Sequence, residues 1–135
     1  MNRYYIDKLG IEFKDTPQGW NQDDSRQIYW EKERNKYGFD ERETWSLRYT
    51  MDLLLYERLC KFKEYASECI DFTFHKFKYE DEILTQEECI DRMIEGLKLE
   101  LTLDEFDEKR KCEKVKKLIN DVYKIYALCK NSLWW

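Results

Sequence analysis

Apolar side chains recur every three or four residues along most of this chain, and that spacing predicts helix after helix. The strongest run starts at Trp45 and continues through Tyr49, Leu53, Tyr56, Leu59 or Cys60, and Phe62 or Lys63, one buried face over about five turns. Asp40 and Glu43 stand just before it as a D-x-x-E capping box. An earlier helix is predicted from near Ser25, after Asp23 and Asp24, through RQIYWEKERNKY to Gly38, which supplies a left-handed C-cap. Thr85 with Glu88 makes another capping box, opening a helix whose inner stripe is Ile90, Met93 or Ile94, Leu97 and Leu101. Asp104 is expected to cap the last helix, with Phe106, Val115, Leu118 or Ile119, Val122, Ile125 or Tyr126, and Cys129 turned inward.

Two stretches depart from this pattern. The segment CIDFTFHKFKYEDEILT (69–85) places Ile70, Phe74 and Phe77 on a helical face, yet Ile70, Phe72 and Phe74 also alternate like a strand. Helix to about Phe74 or Phe77, then an extended connection, is the favoured reading, with one tiny β-hairpin near 77–85 as the alternative. The first 24 residues hold the breakers Gly10, Pro17 and Gly19, while Leu9, Ile11, Phe13 and Trp20 predict an arm packed on the body. The expected fold is all-α: an antiparallel helical bundle of about four main helices with a packed N-terminal arm, residues 1–135 forming a single helical domain.

Composition changes the picture mainly by exclusion. A length of 135 residues suits one domain, and 42% hydrophobic with 16% aromatic residues supply a core. With 39% charged residues and a mean hydropathy of -0.88, no apolar run approaches the roughly 20 residues of a membrane span. Acidic residues outnumber basic ones 29 to 24, which disfavours bulk attraction to DNA, RNA or an anionic membrane. Met1 to Gly10 contain no apolar core of a secretory signal. Cysteines at 60, 69, 89, 112 and 129 form no C-x-x-C pair, so they read as reduced thiols of a cytosolic protein. His75 is the single histidine, which disfavours His-dependent triads, facial-triad iron and di-metal bundle sites. No catalytic residue, metal or cofactor is expected.

Phosphate-loop, dinucleotide, nucleophile-elbow and zinc-helix motifs are all missing. The acidic runs Glu80-Asp81-Glu82 and Asp104-Glu105 fall at predicted turns and helix starts, where carboxylates cap and solvate. Lys109, Arg110, Lys111, Lys114, Lys116 and Lys117 crowd the last helix. Arg110, Lys114 and Lys117 share one helical face there, either a solvated surface or an anion site. The segment from Tyr29 to Tyr49 interleaves aromatics with arginines, a mixture suited to a nucleotide because rings stack on bases and guanidinium forks bind phosphate. Arg34, Arg42, Trp45 and Tyr49 are therefore the candidate ligand-binding residues, with His75 and Lys76 from the opposing segment. The competing reading makes Trp30, Trp45 and Tyr49 core residues flanked by surface salt bridges. On the pocket reading Arg42→Ala abolishes binding and costs under roughly 1 kcal/mol, as for an exposed ion pair.

The runs IDKLGIEFKDTPQGW, IYWEKERNKYGFDERETWSL and IDFTFHKFKYEDEILTQEECIDRMIEGLKL, with the closing LWW, resemble a group of small tailed-bacteriophage proteins. The resemblance covers nearly the whole chain and is carried most distinctively by YGFDERETW and the terminal double Trp. It implies the cytoplasm of an infected bacterial host. By analogy with small phage binding proteins, the expected function is anti-defence: sequestration, without cleavage, of a nucleotide-derived immune signal. A protein-binding inhibitor or adaptor is the alternative, with a metal-dependent phosphodiesterase behind it. Leu133-Trp134-Trp135, where chain ends are usually polar, points to burial against the bundle or in a homo-oligomer.

Overall fold

The computed structural model describes residues 24–135, so the arm expected from Leu9, Ile11, Phe13 and Trp20 lies outside the described residues. Those residues form five α-helices and one antiparallel hairpin: α1 (Asp24–Tyr37), α2 (Arg42–Trp45), α3 (Leu47–Ala66), β1 (Lys76–Tyr79), β2 (Glu82–Thr85), α4 (Gln86–Thr102) and α5 (Glu113–Cys129). The fold is predominantly helical, as the periodicity predicts. Two compact units divide at Leu54/Leu55, within the sequence of α3.

In the N-terminal unit α1 stops where expected. Gly38 adopts φ +82°, and its N–H donates to the Arg34 carbonyl at 2.8 Å, closing the last turn in a conformation that glycine adopts without strain. The next helix differs from its prediction. A single turn, α2, breaks at Ser46 (φ -126°, ψ 70°) before α3 begins. The Glu43 carbonyl accepts from the Thr50 hydroxyl at 2.8 Å. With the helical phase interrupted, Thr50 and Asp52 are buried while Tyr49 is exposed, so the expected Trp45–Tyr49–Leu53 stripe does not form as one face.

The C-terminal unit has its core among Leu59, Phe72, Leu84, Ile90, Met93, Leu97, Val122 and Ile125. The favoured helix through 69–77 does not form. Asp71 accepts from both the amide and the hydroxyl of Thr73, at 2.9 and 2.6 Å, and its carbonyl accepts from the Phe74 N–H; this local turn competes with a helix. The chain then enters the hairpin, the alternative reading, one residue earlier than its expected start. Its register pairs Lys76 with Thr85, Phe77 with Leu84, Lys78 with Ile83 and Tyr79 with Glu82. Glu80 takes φ +54° in the two-residue loop, and Lys117 holds its carboxylate at 2.9 and 3.0 Å.

The Thr85–Glu88 capping box forms with both bonds, at 3.1 and 3.2 Å, and α4 buries Ile90, Met93 and Leu97 as predicted. α5 runs antiparallel to it: a Cβ on Gly96 would lie 2.3 Å from the Leu118 carbonyl and 2.5 Å from the Val122 side chain. That helix starts at Glu113, nine residues after the expected cap Asp104, and Phe106 is exposed. Arg110 accounts for the difference. It donates to the carbonyls of Glu100, Leu103 and Asp104 at 3.1, 2.6 and 2.8 Å and to the Glu100 carboxylate at 3.0 Å, closing the end of α4 from within a 3-10 turn. The five cysteines are free thiols, Cys89 and Cys129 wholly buried.

Candidate functional site

The predicted residues fall in both units. In the N-terminal one the connection after Gly38 carries Asp40, whose side chain is fully buried, between Arg34 at the end of α1 and Arg42 at the start of α2. Arg42 grips it as a fork, Nε to Oδ1 at 3.0 Å and Nη2 to Oδ2 at 2.8 Å, and Arg34 Nη1 reaches Oδ2 at 2.8 Å. The Arg42 amide also donates to Oδ1, and Glu43 Oε2 accepts from the Asp40 amide at 3.3 Å, but the Glu43 amide donates to the Asp40 backbone carbonyl at 3.1 Å, so only half of the predicted D-x-x-E capping box forms. Burial pushes the Asp40 carboxyl up, but the hydrogen bonds and charge of Arg42 and Arg34 prevail and hold it below its ordinary 3.8. Burial raises Glu43, helped by the neighbouring Asp40 charge and opposed by the Asp40 amide.

The Arg42 guanidinium lies 4.2 Å over the buried Trp30 ring, Trp45 meets Trp30 edge-on at 6.1 Å, and Trp30 Nε1 donates to Glu41. Arg34, Arg42 and Trp45 are therefore brought together, as the sequence suggested. They converge on Asp40 and Trp30. Arg42 is only 14% exposed, which corrects its treatment as a surface ion pair. Tyr49 stands exposed on α3.

His75 and Lys76 belong to the C-terminal unit, and there a cleft of about 380 Å³ is lined by Ile70, Asp71, Phe74, His75, Gln86, Ser132 and Trp134. The turn before β1 builds one wall by docking on the start of α4: the Gln86 and Glu87 amides donate to the His75 and Phe72 carbonyls at 3.0 and 3.2 Å. Phe74 and His75 meet edge-on at 5.2 Å. Phe74 and Trp134 are 77% and 74% exposed. Gln86 is fully buried, and its Nε2 donates to the Ser132 carbonyl at 2.9 Å. That acceptor fixes the amide orientation, leaving Oε1 buried and without a hydrogen-bond partner among the described residues. The Thr73 hydroxyl and amide hold the Asp71 carboxyl below its ordinary value.

Gln86 was not among the predicted site residues. Its signal was available: it precedes Cys89, Ile90 and Met93 by three, four and seven residues, a polar side chain on an apolar stripe. Lys76 is exposed at the start of β1.

A second cleft of the same size, between Glu82, Arg92, Glu95, Lys114, Lys117 and Asp121, carries paired charges. Arg92 forks onto Glu82 at 2.9 and 3.1 Å, and Lys117 bridges Glu80 and Asp121. Burial and the adjacent Asp121 push the nearby Tyr79 phenol up to about 12. Because Arg110 lies outside α5, the expected face of Arg110, Lys114 and Lys117 is not assembled. Among the described residues no three His, Cys, Asp or Glu side chains gather as a metal-binding group, and no helix is long and apolar enough to cross a membrane. Comparison with family models, curated proteins and solved structures finds no match for this chain.

Proposed function

We propose that this chain is a phage accessory protein of the host cytoplasm that binds a nucleotide-derived immune signal and withholds it without cleaving it. The observation that carries the binding reading is the cleft of Phe74, His75, Gln86 and Trp134, of a size that admits a small molecule, with exposed rings beside a buried polar group. Rings at its rim supply stacking surface for a base. Lys76, next in sequence to His75, supplies positive charge for a phosphate. The phage setting rests on the resemblance of YGFDERETW and LWW to small phage proteins. The proposed Arg34–Arg42–Trp45 contribution is secondary, since Asp40 already engages both arginines.

Purified protein is titrated calorimetrically with cyclic nucleotides and ADP-ribose, then heat-denatured and the ligand recovered for mass spectrometry. Saturable binding with intact ligand is the expected result; recovery of hydrolysed product, or no binding to any member, overturns it.

Exposed Ile83, Phe106 and Trp135, with Phe74 and Trp134, favour a second reading as a protein-binding adaptor or self-associating chain. A homo-oligomer follows if the terminal indoles are shared between copies. Light scattering at micromolar concentration then gives a multiple of the 16.8 kDa chain mass, and a strictly monomeric mass rejects that part.

A further inference from the structure

The polar lining of the C-terminal cleft has a direction. Gln86 offers a buried carbonyl oxygen whose orientation is set by the bond from its own amide nitrogen to Ser132. Asp71 adds a carboxylate, and the Ser132 hydroxyl donates away, to the Cys129 carbonyl at 2.8 Å. Among the described residues no Lys or Arg lines this cleft. Gln86 Oε1 is therefore an acceptor without a donor among the described residues, beside a space walled by Phe74, His75 and Trp134. A buried acceptor without a donor is costly, and a ligand donating to it recovers that cost only when it occupies the site. A ligand edge bearing only acceptors would meet the Gln86 carbonyl with repulsion and leave it unpaired.

We infer that the cleft selects a planar heteroaromatic ring with an amino or ring N–H donor on its edge, as in adenine or cytosine, the donor pointing at Gln86 Oε1. This deepens the binding reading and rests on it. The ring stacks against the exposed Phe74 and Trp134 side chains, while any phosphate remains outside the cleft, away from the Asp71 carboxylate. Discrimination arises because a site built to pair a hydrogen-bonding group rejects analogues lacking it more strongly than it rejects a change in apolar bulk.

The test compares three probes on the unaltered protein by calorimetry: adenosine monophosphate, its N6,N6-dimethyl derivative, and purine riboside monophosphate, which lacks the amino group. The parallel measurement follows the Gln86 side-chain amide and the Trp134 indole by 1H–15N NMR. Adenosine monophosphate is expected to bind at least tenfold more tightly than either analogue and to shift both resonances. In Gln86→Met, which keeps the length but removes the acceptor, the three affinities converge. Equal affinities on the unaltered protein overturn the donor-edge assignment while leaving nucleotide binding intact. Binding that leaves both resonances unmoved places the site elsewhere and overturns it as well. No binding by any probe, or by the cyclic nucleotides and ADP-ribose, overturns the binding reading and this assignment together. Because the analogue series needs no variant, the inference stays decidable if Gln86→Met does not fold.

Discussion

In the N-terminal unit a buried carboxylate, Asp40, accepts from two arginines and a backbone amide, and one of those arginines covers the Trp30 ring. In the C-terminal unit a buried amide, Gln86, has one atom paired to Ser132 and one without a partner among the described residues, beside rings that face solvent. Both regions combine aromatic and polar side chains. They differ in whether the polar groups answer each other. In the first, aromatic and arginine residues lie close in sequence, and a carboxylate in the intervening turn draws them together as a fold element. In the second, residues from 70 to 134 meet only through the packing of the turn, α4 and the chain end. An interleaved aromatic–arginine stretch can thus be drawn together by a carboxylate within it, as a part of the fold.

The largest expected effect tests the first region. Asp40→Ala leaves Arg34 and Arg42 facing each other across a buried gap and should cost about 3–5 kcal/mol, measured as hydrogen–deuterium exchange protection in residues 24–54. A loss under 1 kcal/mol would show that this network is peripheral. Its pH dependence has a definite sign. The folded-state Asp40 value lies below 3.8, so its contribution is complete above that ordinary value and is lost as pH falls through the lower one. Glu43, raised above 4.5, works oppositely: the fold gains as pH falls through its raised value. Protection of α1 and α2 should therefore rise slightly on mild acidification and fall below about pH 4, a fall that Asp40→Asn removes.

Gly96→Ala probes the platform of the second region. Its new methyl would meet backbone and a branched side chain well inside contact distance, and the helices must separate. A loss of about 3 kcal/mol is expected, seen as faster exchange in α4 and α5. An unchanged rate would mean the helix pair yields easily.

Arg42→Ala sharpens the contrast directly. Two of the three arginine side-chain bonds to Asp40 and the stack on Trp30 disappear, so about 2 kcal/mol is expected, above the roughly 1 kcal/mol of an exposed pair. Nucleotide binding should be retained, with calorimetry as the check; its abolition in a folded variant would return the site to the N-terminal unit.

The smallest stability effect belongs to Trp134→Ala. That side chain is largely exposed, so the change should stay within about 0.5 kcal/mol by thermal melting. Affinity for the same nucleotide should drop at least fivefold, since base–ring stacking is worth about 1–3 kcal/mol per base.

Local chemistry by itself determined the helix stop at Gly38, the Thr85–Glu88 box, the Glu43 bond to the Asp40 amide and the inner stripe of α4, because each depends on residues within one or two turns. The break at Ser46, the turn at Asp71 and the late start of α5 depended on competition. Side chains of Thr50, Asp71 and Arg110 offered the backbone partners other than the next helical turn. Which polar groups ended buried and answered was decided only in three dimensions. Asp40 and Gln86 look alike in sequence, each a polar residue near a helix start. Two arginines reach the first from six residues before and two residues after it, whereas the side chain of the second finds a partner 46 residues away and keeps an acceptor without a donor among the described residues.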